Sequence, residues 1–525
     1  MTGREGGARR GRILWVDDEV DFLKPHVMRL EEEGYEVDTV MNGDDALQLL
    51  GAEPYDLVLL DEQMPGLRGI EVLGRLRRRM GRLPVVMVTK SEEDVTLREA
   101  IGRRVDDYIV KPTSPRQVLS VVKRLLEGES LRHERIARDF TRRFGELRET
   151  LSGAETWDDY SHLYGEIVDW ELRLEESGES GLRESLENLV IDVRRAYCDF
   201  VAARYPEWVH EEGERGPALS VDVIPQFFLP LLAGGEPALL MVVDCLRLDQ
   251  WRAIAPMVSD LFEIEETLYG SLLPSATPYA RNAIFGGMFP DELAERYPRW
   301  WEHGEEEGYN TFEDELFEGF IGELSGGTVR THYEKVFSAD EGDAMLQRLP
   351  GYLADPSATA LVFGFVDLLT HGRSESRLVW EMARDAAALR SLTRTWFERS
   401  AAFAALREAA RRGVRVLFTT DHGSIHCRRP ATVYAKRDAT ANLRYKFGED
   451  LRTENPSTVL SANRADDFRL PPGGTRMRYL LCRDDYYFVY PTKLREYQQR
   501  YRDSFLHGGV SPEETILPAV LLTPR

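Results

Sequence analysis

Five hundred and twenty-five residues exceed what one hydrophobic core of about 250–300 residues sustains, so the chain is expected to hold several domains. Apolar residues at 42% and charged residues at 30% exclude a disordered chain, and the four cysteines (Cys198, Cys245, Cys427, Cys482) lie too far apart for a disulfide framework, as expected of a cytoplasmic protein. A net charge of −23 disfavours duplex DNA, and with no apolar run of roughly 18–20 residues no membrane insertion is expected.

Residues 1–10 are Gly/Arg-rich without the apolar stretch of a secretory signal and are expected to form a disordered tip. From 11 to 127, strand-length apolar runs (13–16, 35–40, 55–60, 84–89, 107–110) alternate with amphipathic stretches of helical period. That pattern predicts a five-stranded parallel sheet with helices on both faces. From 128 to 210 strand signals vanish, and Trp157, Tyr160, Tyr164 and Ile167, then Leu186, Leu189, Val193 and Tyr197, recur at helical spacing, predicting a helical linker bundle. From 211 to 525 strand and helix signals alternate again around the runs 238–243, 361–366 and 414–420, predicting a large α/β domain.

In the first α/β region, Asp17, Asp18, Asp61, Thr89 and Lys111 follow successive strands, at the sheet edge where ligands bind. Three clustered carboxylates repel one another unless a cation sits among them, and an all-oxygen cage suits Mg²⁺. Asp61 is then a carboxylate nucleophile for a phosphoryl group, with Lys111 neutralising the added charge and Thr89 sensing it. The segments WVDDE, LLDEQMPG, VVMVTK and YIVKP resemble the response-regulator receiver family, of flavodoxin-like fold. The resemblance implies phosphorylation at Asp61 by a cognate sensor histidine kinase, Mg²⁺ held by Asp17, Asp18 and Asp61, a switch through Thr89 and Tyr108, and a homodimer on phosphorylation. Lys90 stands where receivers more often carry a small residue, which bears on the lifetime of the phosphoryl group.

The large domain repeats this logic with imidazoles added. Asp244, Asp367 and Asp421 with His422 follow three buried strands, His371 lies one helical turn beyond Asp367 in DLLTH, and His507 opens HGGVSPEETILP. These residues form two sets, Asp367, His371 and His507 for one metal and Asp244, Asp421 and His422 for the other. Mixed imidazole and carboxylate donors suit Zn²⁺ or Mn²⁺ better than Mg²⁺. Two such ions serve in-line phosphoryl displacement, and Thr277, at the start of a helical stretch, supplies a hydroxyl that can join the second metal as nucleophile.

The ordered set, with VVDCLRLDQW, LPSATPYARNAIF and NLRYKFG, resembles the alkaline phosphatase superfamily and within it the PglZ domain. The order of receiver, helical connector and PglZ domain is similar to the PorX-like response regulators, linked to type IX protein secretion. The resemblance implies two zinc ions, a transiently phosphorylated Thr277, and hydrolysis of phosphodiesters in small linear or cyclic oligonucleotides. Arg281, Asn282, Lys436, Arg444 and Lys446 are candidate contacts to that anionic substrate, whereas His426 is read as a hydrogen-bond partner. A competing reading makes the large domain an adaptor or transcription-control module that binds a protein partner, with structural metals.

Overall fold

The computed structural model describes residues 10–80, 83–90, 105–177, 180–210, 216–299, 310–354, 356–375, 377–435, 442–473 and 477–525. The expected disordered tip, apart from Arg10, lies outside the described residues. The chain divides into two compact units, Met1–Asp139 and Phe140–Arg525.

In the first unit, β1 (Gly11–Val16), β2 (Tyr35–Val40), β3 (Leu57–Asp61), β4 (Val85–Thr89) and β5 (Asp107–Val110) pair in parallel in the order β2-β1-β3-β4-β5. Strands β3 and β4 are buried along their whole length, as unbroken apolar runs must be when helices cover both faces. Trp15, Leu30 and Val122 fill one face of the sheet, and Leu14, Leu60 and Leu76 the other. This is the flavodoxin-like doubly wound sheet, with its switch point between β1 and β3.

In the second unit, helices Trp157–Ser177 and Ser180–Val209 pack on each other, and their inner faces (Tyr160, Tyr164, Tyr197, Val201, Tyr205) continue into the core beneath a mixed sheet. That sheet holds β6 (Ala238–Val243), β7 (Phe262–Gly270), β8 (Arg330–Val336), β9 (Ser357–Phe363), β10 (Arg415–Thr419) and the C-terminal strand Ile516–Pro524. Strands β10, β6, β9 and β8 are parallel neighbours in that order, while the C-terminal strand lies antiparallel between β10 and β7. Strand β6 is buried throughout, so its six apolar residues need no polar alternation.

The expected strand 361–366 stops at Phe363, and a helix, Phe365–Glu375, starts two residues later. Gly364 permits this break: a β-carbon there would stand 2.3 Å from the Phe337 ring. All four cysteines are free and buried, and among the described residues no helix is long and apolar enough to cross a membrane.

Candidate phosphorylation pocket and metal centre

The carboxyl ends of β1 and β3 set Asp17, Asp18 and Asp61 so that one oxygen from each lies within 4.8 Å of the others. Lys111, just past β5, donates from Nζ to Asp17 Oδ2 at 2.8 Å and to Asp61 Oδ2 at 2.9 Å. Burial raises the Asp61 carboxyl above its ordinary range and the Asp17 charge adds to this, with Lys111 opposing both. Burial also works against the Lys111 charge, but its two carboxylate partners outweigh it and raise its proton affinity. Thr89 is buried at the end of β4, whereas Tyr108 on β5 is 51% exposed. Lys90 faces Glu19, with 3.7 Å between Nζ and Oε2.

In the second unit the sheet edge gathers the other two sets. Asp244 follows β6, Asp421 and His422 follow β10, and Asp367 with His371 occupy one face of the helix that follows β9. His507 arrives from far along the chain through a two-stranded ladder, Ile425–Cys427 antiparallel to Ser504–Leu506, which joins the segment after His422 to the segment before His507. His426, in that ladder, directs Nε2 to Asp503 O at 2.8 Å and stacks on Phe505, as expected of a hydrogen-bond partner.

Asp367, His371 and His507 form one group, and Asp244, Asp421 and His422 the other. His371 Nε2 and His507 Nε2 approach to 3.0 Å, and Asp367 Oδ1 lies 3.3 Å and 3.6 Å from them. In the second group His422 Nε2 lies 3.6 Å from Asp244 Oδ1 and 3.7 Å from Asp421 Oδ2. Neither Asp367 Oδ1 nor Asp421 Oδ2, both buried, accepts a hydrogen bond from the described residues. Converging imidazole nitrogens and orphaned buried oxygens are costly without a cation, so both groups fit a divalent ion. Burial lowers the proton affinity of His507 and the His422 ring lowers it further, while burial raises that of Asp244, reinforced by Asp421 and Asp367 and opposed by Arg281. Burial would raise Asp367 too, but His371 and His507 overcome it and hold this carboxyl below its ordinary range.

Thr277 opens the helix Thr277–Gly286 against this pair of groups. Its Oγ1 is 2.9 Å from His422 Nε2 and 3.5 Å from Asp244 Oδ1. His422 Nδ1 lies 3.1 Å from Gly423 O; donation to that carbonyl leaves Nε2 with its lone pair turned toward Thr277.

The candidate substrate contacts fall in two places, Arg281 and Asn282 on the helix that Thr277 opens and Arg444 and Lys446 around the start of the strand Tyr445–Glu449. Arg281, one turn beyond Thr277, is buried between Asp244 and Glu313, with Nε 2.7 Å from Glu313 Oε1. Asn282 is buried and directs Nδ2 to Pro278 O. Arg444 is fully buried against Glu514, and Lys446 is buried with its ammonium 5.3 Å from the centre of the Tyr490 ring. These two cations are built into the scaffold of the His507 loop and its neighbours. Lys436 lies outside the described residues.

Two residues went unread in the sequence. Glu313, fully buried, joins Arg281 to Lys335 (2.9 Å) and Tyr333, and Asn310 donates to Thr277 O at 3.3 Å. Glu313 sits in an acidic run at a helix start, a place where acids ordinarily complement the helix dipole, so nothing in the sequence separates it from Asp314 or Glu315.

Family models match three consecutive stretches: the response regulator receiver domain at 13–123, the PorX response regulator linker domain at 130–209, and the BREX system PglZ alkaline phosphatase-like domain at 224–522. Among curated proteins, the chain is 42% identical over 119 residues to the transcriptional regulatory protein ResD of Bacillus subtilis, covering 23% of this chain and 49% of that one. It is 38% identical over 120 residues to the alkaline phosphatase synthesis transcriptional regulatory protein PhoP of the same organism, covering 23% and 50%. The chain thus spans about half the length of the curated relatives it matches. Among solved structures, the response regulator TrrA from Thermotoga maritima is 36% identical, covering 22% of this chain and 98% of that one with a TM-score of 0.21. The NtrX receiver domain from Brucella abortus gives the same four figures.

The protein is therefore a response regulator receiver joined through a linker to an alkaline phosphatase-like domain, a type of domain that points to phosphoester hydrolysis and to bound metal. It belongs to the PglZ alkaline phosphatase-like family, in the PorX-like order of receiver, linker and PglZ domain.

Proposed function

We propose that this chain is a cytoplasmic two-component response regulator in which phosphorylation of Asp61 by a sensor histidine kinase, with Mg²⁺ at Asp17, Asp18 and Asp61, promotes a homodimer and controls a two-zinc phosphodiesterase. Its substrates are small linear or cyclic oligonucleotides, and its physiological setting is control of a type IX secretion-like process. The observation that carries the reading is the placement of Thr277 Oγ1 2.9 Å from His422 Nε2, beside two clusters of three metal-type donors each.

Asp367, His371 and His507 would hold one ion, and Asp244, Asp421 and His422 the other, with Thr277 beside the second. Bound there, the ions would supply the positive charge that lowers the proton affinity of the threonine hydroxyl and stabilises the departing ester oxygen. Thr277 Oγ1 forms the new bond to phosphorus while the bond to the leaving alkoxide breaks; a water molecule then releases the phosphate monoester and regenerates the hydroxyl. The amides at the start of the helix Thr277–Gly286 favour the anionic group beside them. Arg281 and Glu313 hold Asp244 from behind.

The test is turnover of an activated phosphodiester by zinc-loaded protein, compared with the corresponding monoester. Cleavage of the diester that disappears in Thr277→Val supports the reading, and undiminished cleavage by that variant removes it.

A further inference from the structure

Helix Ser180–Val209 lies in the stretch matched by the linker model, yet one of its faces reaches two loops that build the metal centre. Four residues on that face, Arg194, Tyr197, Cys198 and Tyr205, are spaced three, four and eleven positions from the first, as one side of a helix requires. Arg194 pairs with Glu513, with Nε 2.5 Å from Oε1; the two side chains are 20% and 9% exposed. Tyr197 OH meets Thr515 Oγ1 at 2.8 Å, and Cys198 Sγ donates to Val510 O at 3.0 Å. Eight residues beyond Tyr197, Tyr205 OH accepts the backbone N–H of Leu273 at 2.8 Å, in the loop that leads to Thr277.

The segment gripped by Arg194 and Tyr197 is a hub. Glu514 O accepts the N–H of Gly423, next to His422, at 3.0 Å, and Glu514 Oε1 accepts the N–H of Gly509, two residues past His507, at 2.8 Å. Ser275 Oγ donates to Gly509 O at 2.8 Å and accepts from Gly508 N at 3.2 Å, so the loop before Thr277 and the loop after His507 are stitched together. Thr515 O accepts from Ser271 N at 2.9 Å, and Ser271 Oγ donates to Asp421 O at 3.0 Å. A shift of this segment moves the backbone beside His507, His422 and Asp421 together.

We infer that helix Ser180–Val209 clamps the metal centre from outside, with Arg194 and Tyr197 as positioning residues for His507 and His422, and Tyr205 as a positioning residue for the Thr277 loop. This deepens the two-metal phosphodiesterase reading and rests on it for its catalytic readout. The linker helix is thereby part of the catalytic scaffold.

The test uses full-length protein, with zinc affinity measured by competition against a chromogenic chelator and with kcat and KM on an activated phosphodiester. Arg194→Met is expected to weaken zinc binding about 10–100-fold and to lower kcat by a similar factor, the range seen when groups that orient metal ligands are removed, with KM changed by less than about twofold. Arg194→Lys restores most of both losses. Tyr205→Phe lowers kcat about 10-fold and weakens zinc binding less than Arg194→Met does, because it bears directly on the Thr277 loop and on the histidine ligands only through Ser275. Arg195→Ala, on the exposed side of the same helix, changes neither quantity. Native zinc affinity and kcat in Arg194→Met would overturn the inference, as would a loss that follows unfolding by circular dichroism and is not repaired by lysine. If the native chain cleaves no phosphodiester, the catalytic reading falls, and the zinc competition alone still decides for or against the clamp.

Discussion

The receiver pocket and the phosphatase-like centre use the same device, acids at the carboxyl edge of parallel strands, but neutralise the acids differently. In the receiver, three carboxylates from two strand ends meet a built-in cation, Lys111, which bonds to two of them within 3 Å. In the large unit, imidazoles enter the cage and the nearest internal cation, Arg281, stands behind Asp244, braced by Glu313. Donor chemistry follows: oxygen ligands suit a hard ion that comes and goes, whereas imidazole with carboxylate suits a tightly held one. Asp61 and Asp367 show the same contrast, since burial raises the first while two histidines hold the second low.

The sharpest break in this comparison is chemical. Thr277→Val is expected to lower kcat on a phosphodiester by about 10³-fold or more and to leave receiver phosphorylation intact, whereas Asp61→Asn abolishes phosphoryl uptake from a small-molecule donor and with it any donor-dependent change in hydrolysis. Metal removal separates the centres next. A zinc-selective chelator stops hydrolysis, added Mg²⁺ does not restore it, and receiver phosphorylation persists as long as Mg²⁺ is present, as metal analysis beside both assays will show.

A scaffold change ranks third. Arg444→Met leaves Glu514 as an uncompensated buried charge, so denaturant unfolding should show a loss of about 3–5 kcal/mol for the unit that carries it. The smallest effect concerns pH. Because the folded Asp61 carboxyl is raised by burial, its protonated form is stabilising, and that contribution is lost as pH rises through the folded value, starting from about 4. Calorimetry without Mg²⁺ should therefore show the receiver's melting temperature falling over that window, Mg²⁺ should reverse the fall, and Asp61→Asn should flatten the profile.

These contrasts were legible in the sequence to unequal depth. The receiver's acids follow strands within a short stretch, so order alone places them, and the four-residue step from Asp367 to His371 places that pair on a helix face. The partnership of His507 with His371 was carried by resemblance and ligand counting, since the ladder that delivers it pairs strands some 80 positions apart. The antiparallel place of the C-terminal strand between β7 and β10 has no local signature, because strand order in a mixed sheet is set by packing. Arg444 reads as a free cation until Glu514 is found beside it, and Arg281 until Asp244 and Glu313 are. Charge type is visible in a sequence; the choice of partner is a tertiary fact.

The short ladder between Ile425–Cys427 and Ser504–Leu506 links the two donor sets through the main chain. It ties the backbone just after His422 to the backbone just before His507, whose rings stack with centroids 4.3 Å apart. His422 and His507 belong to different donor sets, so the ladder couples the backbone of one set to that of the other, and a change that breaks its pairing would disturb both sets without altering any ligand.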